Sequence, residues 1–184
     1  MALVRPPLNT LRHASQILST LTDSTAIAST TTETAFDQQV SIYGGTLAKG
    51  DTIDCTWIGL WGKSGATQPT MTFKVRWGSA SGTTLLTFSA VTAQTSAFGN
   101  APWEINAKIR VDSLTSFRCM ARLSIIADSS SVVPTGQMLV PTTATTVATS
   151  ADMAISLTAT WGTSNAANTI KTVFAEAWVA HVGP

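Results

Sequence analysis

Trp103-Glu-Ile-Asn-Ala-Lys-Ile-Arg-Val111 decides the fold class of this chain. Trp103, Ile105, Ala107, Ile109 and Val111 are apolar, and Glu104, Asn106, Lys108 and Arg110 between them are polar. Side chains on a strand alternate between faces, so the run reads as a strand with one buried face. Arg118 to Ile126 repeats the pattern, with Cys119, Ala121, Leu123 and Ile125 facing in. Asp112-Ser113 lies between the two runs, which predicts a hairpin or meander. Upstream, Ile53-Asp-Cys-Thr-Trp-Ile-Gly-Leu-Trp61 puts Ile53, Cys55, Trp57 and Trp61 on one face and Ile58 and Leu60 on the other. Its second half is therefore expected to be covered on both sides.

Further along, Met153 to Trp161 alternates again, and Thr169 to Val182 reads as a last long strand. The 23 residues from Ser129 to Ala151 carry no charge, and Pro134, Gly136 and Pro141 make them loops or edge strands. About nine strands, separated by turns bearing Gly, Ser, Asn or Pro, predict a sandwich or barrel. Met71-Thr-Phe-Lys-Val-Arg-Trp77-Gly78 is echoed by Ile155-Ser-Leu-Thr-Ala-Thr-Trp161-Gly162. The echo fits a sandwich in which each half contributes a comparable unit. The domain is expected to span residues 26–184, preceded by an arm over residues 1–25. In that arm Leu8, Leu11, Leu18 and Leu21 follow helical spacing, but Ser and Thr form helices poorly, so a short helix and an extended arm both stand.

Composition agrees with β structure. Among 184 residues, 31 are Thr and 19 are Ser, while charged residues are only 11% against a usual share of roughly 25%. A helical bundle needs more charge on its wet faces. Net charge of +1 predicts no nucleic-acid or acidic-lipid partner, and no apolar stretch approaches the ~20 residues that span a bilayer. No secretory leader is read at the start.

No catalytic or metal constellation stands out, and no cofactor is predicted. Asp51 and Asp54 read as a turn residue and an exposed strand residue. A Ser-His-Asp triad would have to use His13 or His181, and no nucleophile elbow accompanies either. Cys55 and Cys119 each sit on an apolar strand face and read as buried thiols, a cross-sheet disulfide being the other arrangement. Trp57 and Trp61 share a face, which suits core packing or a sugar-binding platform. Lys74/Arg76 and Lys108/Arg110 form basic outward rows, suited to solvent or to an acidic partner. One sandwich has two inner faces only, so Ile58, Leu60, Val173 and Val179 are expected at a subunit interface.

Several segments together resemble a β-domain found in virion proteins of tailed bacteriophages. They are Leu47-x-x-Gly50-Asp51-x-Ile53-x-x-x-Trp57, Pro69 to Gly78, Thr83-Thr-Leu85, Trp103-x-Ile105-x-Ala107-x-Ile109, and Leu157-x-Ala-x-Trp161-Gly162-Thr163 with Asn168-Thr-Ile170. The resemblance implies an antiparallel two-sheet jelly-roll-like sandwich, forming a homotrimer. It also implies a capsid decoration protein that contacts the major capsid protein or other virion proteins, after assembly in the bacterial cytoplasm. A tail-fibre or head-fibre module recognising host glycan is the alternative. The arm lies outside the resemblance. Arg5, Leu8, Leu11, Leu18 and Leu21 are its docking candidates, and removal of residues 2–24 is expected to leave the β-domain folded.

Overall fold

The computed structural model describes residues 13–20, 22–126 and 135–182. Fourteen strands lie among them: β1 (His13–Thr20), β2 (Ile27–Ala28), β3 (Thr34–Ala35), β4 (Val40–Ile42), β5 (Thr52–Lys63), β6 (Thr70–Trp77) and β7 (Thr83–Thr87), followed by β8 (Val91–Thr92), β9 (Phe98–Ser113), β10 (Ser116–Ile125), β11 (Thr135–Leu139), β12 (Thr145–Thr146), β13 (Met153–Trp161) and β14 (Thr169–His181). Nine of these have five residues or more, and the five of two or three residues raise the total above the expected nine or so. The large sheet runs β1-β14-β5-β9-β10-β11, and the small sheet runs β3-β13-β6-β7. Every pairing is antiparallel. This is the strand order of a jelly roll, two Greek keys folded over one core. β10 and β11 extend the large sheet beyond it.

Alternation places the core as expected. Trp103, Ile105, Ala107, Ile109 and Val111 of β9 are buried, as are Cys119, Ala121, Leu123 and Ile125 of β10. Five of the six tryptophans are fully buried. Aromatic pairs join the sheets: Trp61 stacks on Trp161 at 6.1 Å, Trp103 meets Phe73 at 5.1 Å, and Trp77 meets Phe117 edge-on at 4.8 Å. Buried indole N–H groups need acceptors. Trp61 donates to the Ile126 carbonyl (2.7 Å), Trp77 to Ala148 (2.7 Å) and Trp161 to Ile27 (3.2 Å). Each of these bonds ties a connecting segment onto the core.

Three expectations need correction. First, His13–Thr20 is neither helix nor free arm. It pairs with β14, His13 opposite His181 and Thr20 opposite Ala175, and so forms the edge strand of the large sheet. Leu18 packs against the core. Its helical spacing was coincidental, because an edge strand with a bulge at Ile17 also breaks simple alternation. Second, the two echoed runs do not sit in separate halves. They are β6 and β13, neighbours in one sheet, with Met71 opposite Trp161 and Trp77 opposite Ile155. A local two-fold relates them. Gly78 N–H donates to Ala154 (2.7 Å) and Gly162 N–H to Thr70 (2.8 Å), the same contact at either end. The symmetry stops there, since β7 stays beside β6 while β14 crosses to the other sheet. Third, Val179 is 4% exposed and belongs to the core, for a reason given below.

Cys55 and Cys119 are both free and buried. β9 lies between their strands, which separates them by roughly 10 Å, too far for a disulfide. Burial pushes the Cys119 thiol up to about 12, so neither side chain is a reactive thiolate.

Candidate interaction surfaces

A bulge in β14 shapes the outer face of the large sheet. Thr172 pairs with Gly59 and Phe174 with Ile58, so Val173 is the extra residue. An inserted residue reverses the facing of everything after it. Thr172 points in, Val173 and Phe174 both point out, and the alternation then resumes with Ala175, Ala177 and Val179 inside. Val173 and Val179 therefore lie on opposite faces despite their even spacing. Pairing across the sheet sets Ile58 between Phe174 and Glu104, and Leu60 between Lys171 and Pro102. Ile58, Leu60, Val173 and Phe174 make a contiguous, half-buried apolar group away from the core. Trp178 continues the outer face toward β1, 39% exposed and opposite Asp54.

Trp57 and Trp61 are 0% and 1% exposed, so they offer no platform to a sugar. The even-numbered residues Ile58 and Leu60 take the outside of β5, and the tryptophans take the inside. Leu18 lies against the interior, while Arg5, Leu8, Leu11 and Leu21 fall outside the described residues. The basic rows find partners within the chain. Lys108 meets Asp54 at 2.9 Å, and Arg110 meets Asp112 at 2.5 Å.

Lys74 and Arg76 converge on Glu33, which the β2–β3 connection lays across the small sheet. Lys74 Nζ lies 2.7 Å from Oε2, Arg76 Nη2 also donates to Oε2 at 2.7 Å, and Thr158 Oγ1 donates to Oε1 at 2.6 Å. Arg76 Nε completes a fork on the carboxylate. Burial works against the charge, but hydrogen bonds from Arg76, Lys74 and Thr158 outweigh it and hold the carboxyl at about 2. A folded pKa below the unfolded 4.5 stabilises the fold above that pH, and the benefit is lost as pH falls toward 2. Glu33→Gln is expected to lose about 2–3 kcal/mol at pH 7, and to lose less than the parent between pH 5 and 2. Urea unfolding of both proteins across that range checks it. Parallel curves would show that Glu33 does not titrate at the low value.

A second cluster, which no local pattern announces, lies at one end of the sandwich. The Asp51 carboxylate is fully buried and accepts from Ala48 N–H (2.8 Å) and Val182 N–H (2.8 Å), with His181 Nδ1 at 2.9 Å. Burial opposes its ionisation, yet these bonds keep its pKa below the usual carboxylate value. The pair latches the end of β14 to the β4–β5 connection. Lys63 plays a similar part at its own loops. Its buried ammonium donates to the carbonyls of Gly65, Thr67 and Thr95 at 2.8–2.9 Å. Among the described residues no cluster of His, Cys, Asp or Glu is suited to hold a metal ion.

No protein-family model matches the chain, and no curated protein matches it. Among solved structures it is similar to infectious bursal disease virus, Gx strain, at 12% identity and TM-score 0.27, covering 100% of this chain and 47% of that one. The VP2 subviral particle of infectious bursal disease virus is similar at 11% identity and TM-score 0.27, covering 100% and 46%. The chain thus spans about half the length of the structures it matches.

Proposed function

We propose that this chain is a non-enzymatic structural protein of a tailed-bacteriophage virion: a trimeric decoration protein that binds and stabilises the head. The observation that carries the reading is the apolar group on the outer face of the large sheet, Ile58, Leu60, Val173 and Phe174. Its residues come from two hydrogen-bonded strands, so the group is rigid before any partner arrives, and binding orders little more. A contiguous apolar face on a jelly roll whose core is already filled suits a sister subunit. The sequence resemblance points the same way and supplies the trimer and the capsid partner.

Light scattering is expected to give about three times the 19.3 kDa of one chain. Ile58→Glu combined with Phe174→Glu should return a folded monomer, because two carboxylates side by side on this face would have to be desolvated in the contact. A wild-type mass near 19.3 kDa at micromolar concentration would overturn the trimer. Labelling of purified particles tests the placement: the head surface is expected, and label confined to the tail would overturn the decoration role.

A further inference from the structure

We infer that the free edges of β7 and β11 form the second surface of the subunit contact, and that they receive the Ile58, Leu60, Val173 and Phe174 group of a neighbouring copy. This rests on the trimer proposed above and names the surface that such a trimer still requires. Away from its axis a ring of three is joined head to tail, so each contact brings together two different surfaces of the chain. The outer-face apolar group is one of them. The other lies at the far edge of the same sheet. Met138 is the most exposed large apolar side chain among the described residues, at 75%, and Val140, two positions on, is 58% exposed on the same face. A polar strip separates this pair from the first group. Ser124 lies opposite Glu104, Arg122 opposite Asn106, and Met138 opposite Arg122. The chain therefore carries two distinct apolar surfaces.

Charge and backbone mark the same place. Residues 77–103 carry no charged side chain, and neither do residues 129–151. These stretches supply β7, β8, β11 and β12, which gather on the side of the sandwich away from β1. Among the described residues no strand pairs with the far side of β7 or of β11. Edge strands are ordinarily guarded by charge, proline or a bulge. β7 has a bulge at Leu85, whereas β11 pairs regularly with β10 and has no such guard between Thr135 and Leu139. The two edges are also fixed to each other. The Gln137 amide accepts from Ser89 N–H and donates to the Ser89 carbonyl, each at 2.9 Å. Thr84, Thr87, Leu139, Val140 and Pro141 line a groove of about 400 Å³ between them. Apolar side chains can enter it without desolvating a charge. One surface is thus the face of the large sheet and the other is its free edge. Surfaces set at such an angle turn successive copies and close a small ring, whereas opposite surfaces would build a filament.

Two variants that each lose one surface test the pairing. Ile58→Glu with Phe174→Glu removes the first, and Met138→Glu with Val140→Glu removes the second. Analytical sedimentation of either alone is expected to show a monomer. Mixed in equal amounts at submillimolar concentration, they should form a heterodimer of about twice the 19.3 kDa of one chain, because each supplies the intact surface that the other lacks. Growth stops there, since both remaining surfaces are spoiled. Thermal midpoints close to the parent's are expected for Met138→Glu with Val140→Glu, as both positions are exposed. Met138→Ser with Val140→Ser adds no charge and should still weaken the trimer by about tenfold or more. If the trimer survives both changes at Met138 and Val140, this contact is wrong while the trimer stands, and the first group meets its own copies around the axis. Monomeric variants that stay monomeric when mixed overturn the contact as well. A wild-type protein that sediments as one chain overturns the trimer and the contact together.

Discussion

Gly59→Ala is expected to destabilise the protein by about 3 kcal/mol or more. Gly59 faces the core from β5, between Thr172 of β14 and Trp103 of β9. A Cβ there would lie 2.1 Å from the Lys171 carbonyl oxygen and 2.3 Å from the Trp103 indole. Neither neighbour can retreat cheaply. The carbonyl belongs to the stretch leading into the β14 bulge, so moving it disturbs the ladder. The indole is hemmed in by Phe36 at 5.6 Å and Phe73 at 5.1 Å, and its N–H already lacks a partner. Alanine's better backbone entropy, worth about 0.5–1 kcal/mol, opposes the loss without matching it. A drop in midpoint of roughly 6–12 °C should appear in thermal unfolding. Gly99→Ala is the control, because a Cβ there meets nothing within 4 Å. Equal midpoints for the two variants would show that the close approach over Gly59 is wrong.

How much of this was legible in the sequence follows from the range of each interaction. Facing in β9 and β10 could be read because alternation is local and both runs are uninterrupted. The same rule failed in β14, where one extra residue at Val173 reverses the phase without altering composition. Bulges answer to the partner strand, and the partner is not visible from the segment itself. β1 was missed for a related reason. Edge strands carry polar and weakly alternating residues, and Ser15, Gln16 and Ser19 resemble a linker until β14 is placed beside them. Trp57 and Trp61 left two readings open, and burial decided for the core. The Asp51–His181 latch and the Glu33 cluster each span more than 40 positions, and no spacing rule announces a pair so far apart.

Deleting residues 2–24 is expected to abolish the soluble fold, whereas deleting residues 2–12 is expected to leave it within about 1 kcal/mol of the parent. The longer deletion removes β1 and uncovers the edge of β14 from Ala175 to His181. Each ladder hydrogen bond is worth about 0.5–1.5 kcal/mol net, and partial burial of Ile17 and Leu18 adds to that. It also removes Ser24, whose N–H donates to the Thr172 carbonyl (2.9 Å) and whose hydroxyl accepts from Thr172 N–H (3.0 Å). Gln38, buried, loses the Thr22 carbonyl that its amide holds at 2.6 Å. The combined loss reaches the order of 5 kcal/mol, comparable with the whole stability of an ordinary domain, about 5–15 kcal/mol. A bare edge also invites strand pairing between molecules, so aggregation should accompany the loss. The shorter deletion removes Arg5, Leu8 and Leu11 but keeps every described contact of β1, and so isolates docking from folding. Circular dichroism, urea midpoints and particle binding of the two truncations separate the cases. If the protein lacking residues 2–24 unfolds at the parent's midpoint, β1 contributes nothing to the sheet. If the protein lacking residues 2–12 is folded and still attaches fully, contact with the particle is made by the sandwich itself.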